Sequence, residues 1–138
     1  MLKAKDIMTR DVVSVKKDTP IYDAVYLLAK YDISGMPVVR DDMTLVGMLS
    51  EIDTLALFYG TVYQDDKTVA DYMTQHALCF DENESLIDVC EFLMKNIFRR
   101  VPVTSKGKVV GIISVKDILE HILRQRQSRT SLQAADAP

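Results

Sequence analysis

Tryptophan is missing from this chain, histidine occurs twice, and the two cysteines, Cys79 and Cys90, stand alone. Their spacing matches no zinc or redox motif, and they fit a reducing, cytosolic setting with buried thiols. His76 and His121 lack ligand-spaced neighbours and read as surface or boundary histidines. No uncharged run approaches the ~20 residues that a membrane-spanning helix needs. The start, Met1-Leu2-Lys3-Ala4-Lys5-Asp6, lacks the apolar run of a signal peptide. A formal charge of −3 argues against a broad nucleic-acid-binding face. Arg124, Arg126 and Arg129 read as a solvated charge run rather than the basic tail of a DNA-associated regulator. No nucleophile is paired with a base in a recognisable pattern, so the chain is not expected to be an enzyme.

What the chain does contain, it contains twice. Asp6-Ile7-Met8-Thr9 recurs as Asp71-Tyr72-Met73-Thr74, and Met36-Pro37-Val38 as Val101-Pro102-Val103. Gly47-Met48-Leu49-Ser50-Glu51-Ile52-Asp53 recurs as Gly111-Ile112-Ile113-Ser114-Val115-Lys116-Asp117. Two copies of such length are not a solenoid; they imply two homologous units packed with pseudo-two-fold symmetry. A unit of ~60 residues buries only ~60% of its unfolded surface and is marginal alone, so the repeats are expected to share a core. The first repeat spans 1–60, a polar linker 61–67, the second repeat 68–124, and a polar, flexible tail 125–138.

Each repeat reads strand, helix, strand, strand, helix, an α/β (α+β) class. Val12 to Val15 is a β-branched run. Thr19 and Pro20 then open a helix, with Ile21, Ala24, Val25 and Leu28 on one apolar face. Met36 to Val39 and Thr44 to Leu49 form a hairpin, and Ser50 starts a helix toward Tyr59. In the second repeat the corresponding pieces are Ala77 to Phe80, Ser85 to Asn96, Val101 to Thr104, Val109 to Ile113 and a helix from Ser114. Tyr59, Tyr63 and Tyr72 bracket the linker and are expected to pack between the units.

The doubled Gly-x-x-Ser-x-x-Asp carries the strongest functional signal. Ser50 and Ser114 stand where a strand hands over to a helix, whose unpaired N–H groups and partial positive charge suit a phosphate. Asp53 and Asp117, one turn in, suit the two hydroxyls of a ribose. Gly47 and Gly111 let another group approach the strand closely. The competing reading is a capping box, a stability device with Asp in place of Glu. The pair Arg99-Arg100 precedes the second Pro-Val strand, where an arginine can hold a phosphate bidentately. Its competing reading is a solvated pair at a helix end.

The Asp-x-Met-Thr opening, the apolar-Pro-Val strand and the Gly-x-x-Ser-x-x-Asp ending, duplicated in order from about Lys5 to Leu123, resemble a tandem of CBS (cystathionine β-synthase) domains, a Bateman module. The resemblance implies two βαββα units whose clefts, in many members, bind adenosine nucleotides or adenosyl compounds. It makes Asp53 and Asp117 ribose ligands and Ser50 and Ser114 their hydroxyl partners. Met36, Pro37, Val101 and Pro102, with Val13 or Leu78, wall the base pockets. Arg100, and with it Arg99, is the phosphate contact. Gly35 replaces that arginine in the first repeat, which puts a second equivalent phosphate site in doubt.

The expected function is a stand-alone regulatory sensor for AMP, ADP, ATP or S-adenosylmethionine, with no fixed cofactor and no metal. It is expected to act as a homodimer through an unknown protein effector, in the cytoplasm, without membrane or nucleic acid. Leu55, Leu57 and Phe58 with Ile118 and Ile122 are the apolar helix faces expected to pair. The alternative is a ligand-free structural module that dimerises and regulates a partner.

Overall fold

Ile21, Ala24 and Leu28 bury one stripe of a helix against a two-stranded hairpin, and Leu86 and Val89 do the same in the second repeat. The computed structural model describes residues 1–60 and 64–136. In chain order the elements are α1 (Ala4–Ile7), α2 (Ile21–Tyr31), β1 (Gly35–Val39), β2 (Leu45–Ser50), α3 (Glu51–Thr54), β3 (Thr74–Gln75), β4 (Phe80–Asp81), α4 (Leu86–Lys95), β5 (Arg100–Ser105), β6 (Lys108–Ser114) and α5 (Val115–Asp136). Linker positions 61–63, including Tyr63, and the last two residues of the expected tail lie outside the described residues.

The hairpins β1–β2 and β5–β6 are antiparallel, and each slips register at the corresponding place, Val38/Val39 and Val103/Thr104. The opening strand is shorter than its β-branched run suggests. In the first repeat it is a single parallel bridge, Val15 to Val38, with the Val15 N–H donating to the Pro37 carbonyl at 3.1 Å. In the second it is β4, parallel to β5 with Phe80 opposite Val103. Thr19 does not cap α2; its hydroxyl accepts from the Lys16 N–H at 3.0 Å and closes the preceding turn. Ser85 does cap α4, accepting from the Ile87 N–H at 3.2 Å.

The closing helices differ. In the first repeat α3 stops at Thr54, whose hydroxyl bonds back to the Glu51 carbonyl at 2.7 Å, and the chain tightens into a 3-10 turn over Leu55–Tyr59. In the second, α5 runs unbroken to Asp136. Gln125 to Asp136, expected as the start of a flexible tail, carries helical backbone, consistent with its content of Gln, Arg and Ala.

The two units exchange their opening segments. Thr9 pairs with Ile112 of β6, and Thr74 of β3 pairs with Met48 of β2. Ala4 and Met8 are buried in the core formed by Leu86, Val89, Val101, Val103 and Ile113, and Val69 is buried in the core of Ile21, Leu28, Met36, Val38 and Leu49. Among the described residues the buried apolar side chains thus form two cores and not one shared core, the first completed by Val69 and the second by Ala4 and Met8 from the other repeat. Burying a residue such as Met8 contributes ~1.5–3 kcal/mol, which only the assembled pair obtains.

Backbone bonds follow the same symmetry. Ala4 N–H donates to Glu84 as Val69 N–H donates to Thr19, and Leu45 N–H donates to Gly107 as Val109 N–H donates to Met43. Thr44 bridges Lys108, its own counterpart, so the pseudo-two-fold axis passes between the two hairpin turns.

Tyr72 packs against the first core, whereas Tyr59 is exposed and meets Phe58 edge to face, so Tyr59 does not lie between the units as expected. Leu57 and Ile118 also pack on their own cores, while Leu55, Phe58 and Ile122 remain exposed. Among the described residues no helix is long and apolar enough to cross a membrane.

Candidate functional site

At the end of β2 the Asp53 N–H donates to Ser50 Oγ at 3.2 Å, and the Ser50 N–H donates to Asp53 Oδ2 at 2.9 Å. At the end of β6 the same exchange joins Asp117 N–H to Ser114 Oγ at 3.1 Å and Ser114 N–H to Asp117 Oδ2 at 2.9 Å. Both motifs are therefore reciprocal caps. Capping occupies one oxygen of each carboxylate and leaves the other for a further partner. The capping and binding readings are compatible in this geometry.

The glycines of the motif serve the exchanged segments. A Cβ on Gly47 would lie 2.6 Å from the Thr74 carbonyl oxygen, and one on Gly111 would lie 2.7 Å from Met8 Cγ. The group that approaches the strand closely at these points is the other repeat's Met-Thr.

In the second repeat, four polar side chains converge. Arg100 stands opposite Ser114 on the neighbouring strand. Burial pulls its guanidinium pKa down and the Asp117 carboxylate pushes it up. An arginine stays charged under such opposing influences, so a partly desolvated cation faces the carboxylate. The fourth member is Thr9, whose hydroxyl donates to Asp117 Oδ1 at 3.1 Å. Sequence reading did not single out Thr9, although the recurrence of Asp-x-Met-Thr marks it. Its placement depends on the exchange of opening segments, which no local pattern announces. Arg99 is exposed, and its backbone carbonyl accepts from the Val115 N–H at 2.9 Å, holding the start of α5.

The first repeat offers less. Gly35 occupies the place opposite Ser50 that Arg100 has opposite Ser114. A Cβ at Gly35 would press on the Leu49 carbonyl oxygen at 3.1 Å. Asp53 Oδ2 is taken by the cap, and nothing among the described residues donates to its Oδ1. The apolar candidates separate by burial. Met36, Pro37, Val101 and Pro102 are fully enclosed, Met36 in one core and Val101 in the other. Val13 is half-buried and Leu78 is exposed, so these two have surface to offer.

None of these candidates lines the cavity of about 440 Å³ that opens at the opposite, turn end of the hairpins, beside Leu45 and Gly107. Among the described residues no group of three or more His, Cys, Asp or Glu side chains is placed to hold a metal ion.

Known proteins share this fold. The CBS domain matches twice, at residues 4–60 and 69–124. The structure superposes on that of CBSX2 from Arabidopsis thaliana in complex with AMP with a TM-score of 0.81 and 32% identity, covering 91% of this chain and 99% of that one. It superposes on the CBS domain pair of protein MJ0100 in complex with 5′-methylthioadenosine and S-adenosyl-L-methionine with a TM-score of 0.77 and 25% identity, covering 91% and 98% of the two chains. Inosine-5′-monophosphate dehydrogenase from Methanocaldococcus jannaschii is 30% identical over 144 residues, 99% of this chain but 28% of that protein. The chain spans between about a quarter and two fifths of the first curated relatives it matches. On the doubled match over most of its length, this chain belongs to the CBS domain family and carries the domain as a tandem pair.

Proposed function

We propose that this CBS pair is a regulatory sensor that binds an adenosine nucleotide or related adenosyl compound between its repeats. The observation that carries the reading is the convergence of Arg100, Asp117, Ser114 and Thr9 from both repeats. Such a group offers a cation for a phosphate and a carboxylate with hydroxyl neighbours for a ribose. Crystal structures of CBSX2 with AMP and of the MJ0100 pair with adenosyl ligands support the ligand class.

In this reading Asp117 and Asp53 receive ribose hydroxyls, with Ser114 and Ser50 beside them. Arg100, joined by Arg99, receives the phosphate. Val13 and Leu78 offer the base an apolar surface, which Met36, Pro37, Val101 and Pro102 support from the strands beneath. The site is regulatory and not catalytic, and the output passes to a protein effector. The exposed Leu55, Phe58 and Ile122 belong to a homodimer interface, and the protein works in the cytoplasm.

A second reading, a structural module without a ligand, is favoured by one observation: both aspartates already cap their helices. A thermal-shift panel with AMP, ADP, ATP and S-adenosylmethionine decides between them. The sensor reading expects the melting temperature to rise with at least one, as RT ln(1 + [L]/Kd), ~2.7 kcal/mol at a hundredfold excess over Kd. No rise with any of the four leaves the structural module.

A further inference from the structure

The cavity at the turn end of the hairpins is remote from the Ser-x-x-Asp motifs. Leu45, on its wall, and Ser50 stand at opposite ends of β2, about 17 Å apart at ~3.3 Å per residue. Its volume of about 440 Å³ lies within the range of small-molecule sites. Leu45, Met73 and Ala77 give it an apolar floor, and Lys17, Arg40 and His76 bring cationic or titratable groups to its walls. Among the described residues no acidic side chain lines it.

The two fixed cations have no ion-pair partner among the described residues. Asp41, the nearest acid in sequence to Arg40, is paired with Lys16 at 3.6 Å. Asp42 feels Arg40 and Lys108, but its Oδ1 is held by the hydroxyl and the N–H of Thr44, at 2.7 and 3.0 Å.

The fold does not dictate this charge. By the pseudo-two-fold correspondence, Lys17, Arg40 and His76 match Glu82, Ser105 and Asp11 in the other half. Gln75 matches Arg10, so the related face mixes Arg10 with Asp11 and Glu82, whereas this one carries Lys17 and Arg40 with no acid among its described lining residues. His76 also holds a left-handed backbone, φ 53°, a conformation that is uncommon outside glycine and concentrates at ligand sites.

We propose that this cavity is a second binding site, separate from the nucleotide cleft, for a small phosphate monoester with an apolar body. Two fixed positive charges match a phosphate dianion, and the apolar floor receives the body. The Lys17 and Arg40 side chains hold the phosphate, with His76 closing the wall beside it.

Phenyl phosphate is the probe. In amide NMR spectra of the full chain, its titration should give saturable shifts centred on Gln75, His76, Ala77, Thr104 and Gly107. Phenol should give none of them, and benzoate, with a single charge, should bind more weakly. Asp117→Asn should leave the shifts intact, so failure of the nucleotide reading does not touch this test. The double variant Lys17→Ala/Arg40→Ala changes only exposed side chains, and its spectrum should otherwise overlay the parent's. It should bind phenyl phosphate at least about tenfold more weakly, since charge-assisted hydrogen bonds are lost. Absence of saturable shifts at those amides, or equal affinity in the double variant, overturns the proposal.

Discussion

The Thr9 hydroxyl donates to Asp117 Oδ1 at 3.1 Å, whereas among the described residues Thr74, its counterpart, makes no such bond to Asp53. Asp117 therefore has both carboxylate oxygens engaged, one by its own cap and one by the other repeat. Asp53 has one engaged. The two halves of the pair share a backbone plan but differ at the aspartates proposed to meet a ribose.

That difference separates the two Asn variants. Asp117→Asn leaves one acceptor for two donors, and Asp53→Asn leaves one acceptor for one donor. The apo protein should lose about 1 kcal/mol more from the first than from the second, seen as a lower melting temperature. If Asp117 also binds ribose, the rise in melting temperature at fixed AMP concentration should shrink in Asp117→Asn. An AMP-induced rise equal in Asp117→Asn, Asp53→Asn and the parent removes the aspartates from the site.

Arg100→Ala tests the phosphate contact. Charge-assisted hydrogen bonds contribute ~1.5–3 kcal/mol each, so calorimetry should show AMP binding weakened by roughly 10- to 150-fold. Unchanged affinity would leave Arg100 only its electrostatic influence on Asp117.

The motif glycines should be intolerant of alanine to different degrees. At Gly47 the added methyl meets a backbone oxygen, Thr74 O, at 2.6 Å. At Gly111 it meets the flexible side chain of Met8. Overpacking costs ~1–3 kcal/mol, and urea unfolding should place Gly47→Ala at the upper end and Gly111→Ala lower. Shortening Met8 to alanine in the Gly111→Ala background should recover little, because the methionine's own burial is then lost. Equal losses at the two glycines would argue against this account of the exchanged segments.

Met43 has φ 71° at the position where the second hairpin turn has Gly107, φ 80°. A left-handed conformation costs an L-residue ~1–2 kcal/mol, part of which glycine returns as unfolded-state entropy. Met43→Gly should raise stability by up to about 1 kcal/mol in the same unfolding assay. A loss would mean that packing of the half-buried Met43 side chain outweighs its backbone strain.

The exposed Phe58, Leu55 and Ile122 test assembly. Sedimentation should show a dimer at micromolar concentration, and Phe58→Glu with Ile122→Glu should shift it toward monomer without loss of helical signal. A parent protein that sediments as a monomer would set the homodimer aside.

Much of this was written in the sequence. The duplicated Pro-Val and Gly-x-x-Ser-x-x-Asp segments determined two like units, their hairpins and their helix starts, because strand alternation, turn residues and caps act over a few neighbours. Ser50 and Asp53, and Ser114 and Asp117, are three residues apart, and their reciprocal bonds follow from local geometry alone. The sequence also marked Arg100 against Gly35 as the place where the repeats part company.

Tertiary structure alone decided which repeat completes which core. Met8 is buried beside Val101 and Ile113, far along the chain, and Val69 beside Met36 and Leu49. The exchange brings Thr9 to Asp117 and gives the motif glycines their reason. It also buried Met36 and Val101 in the two cores, and gathered Lys17, Arg40 and His76 around one cavity. None of these follows from local pattern, because each depends on a contact between segments that only the packing of the two units brings together.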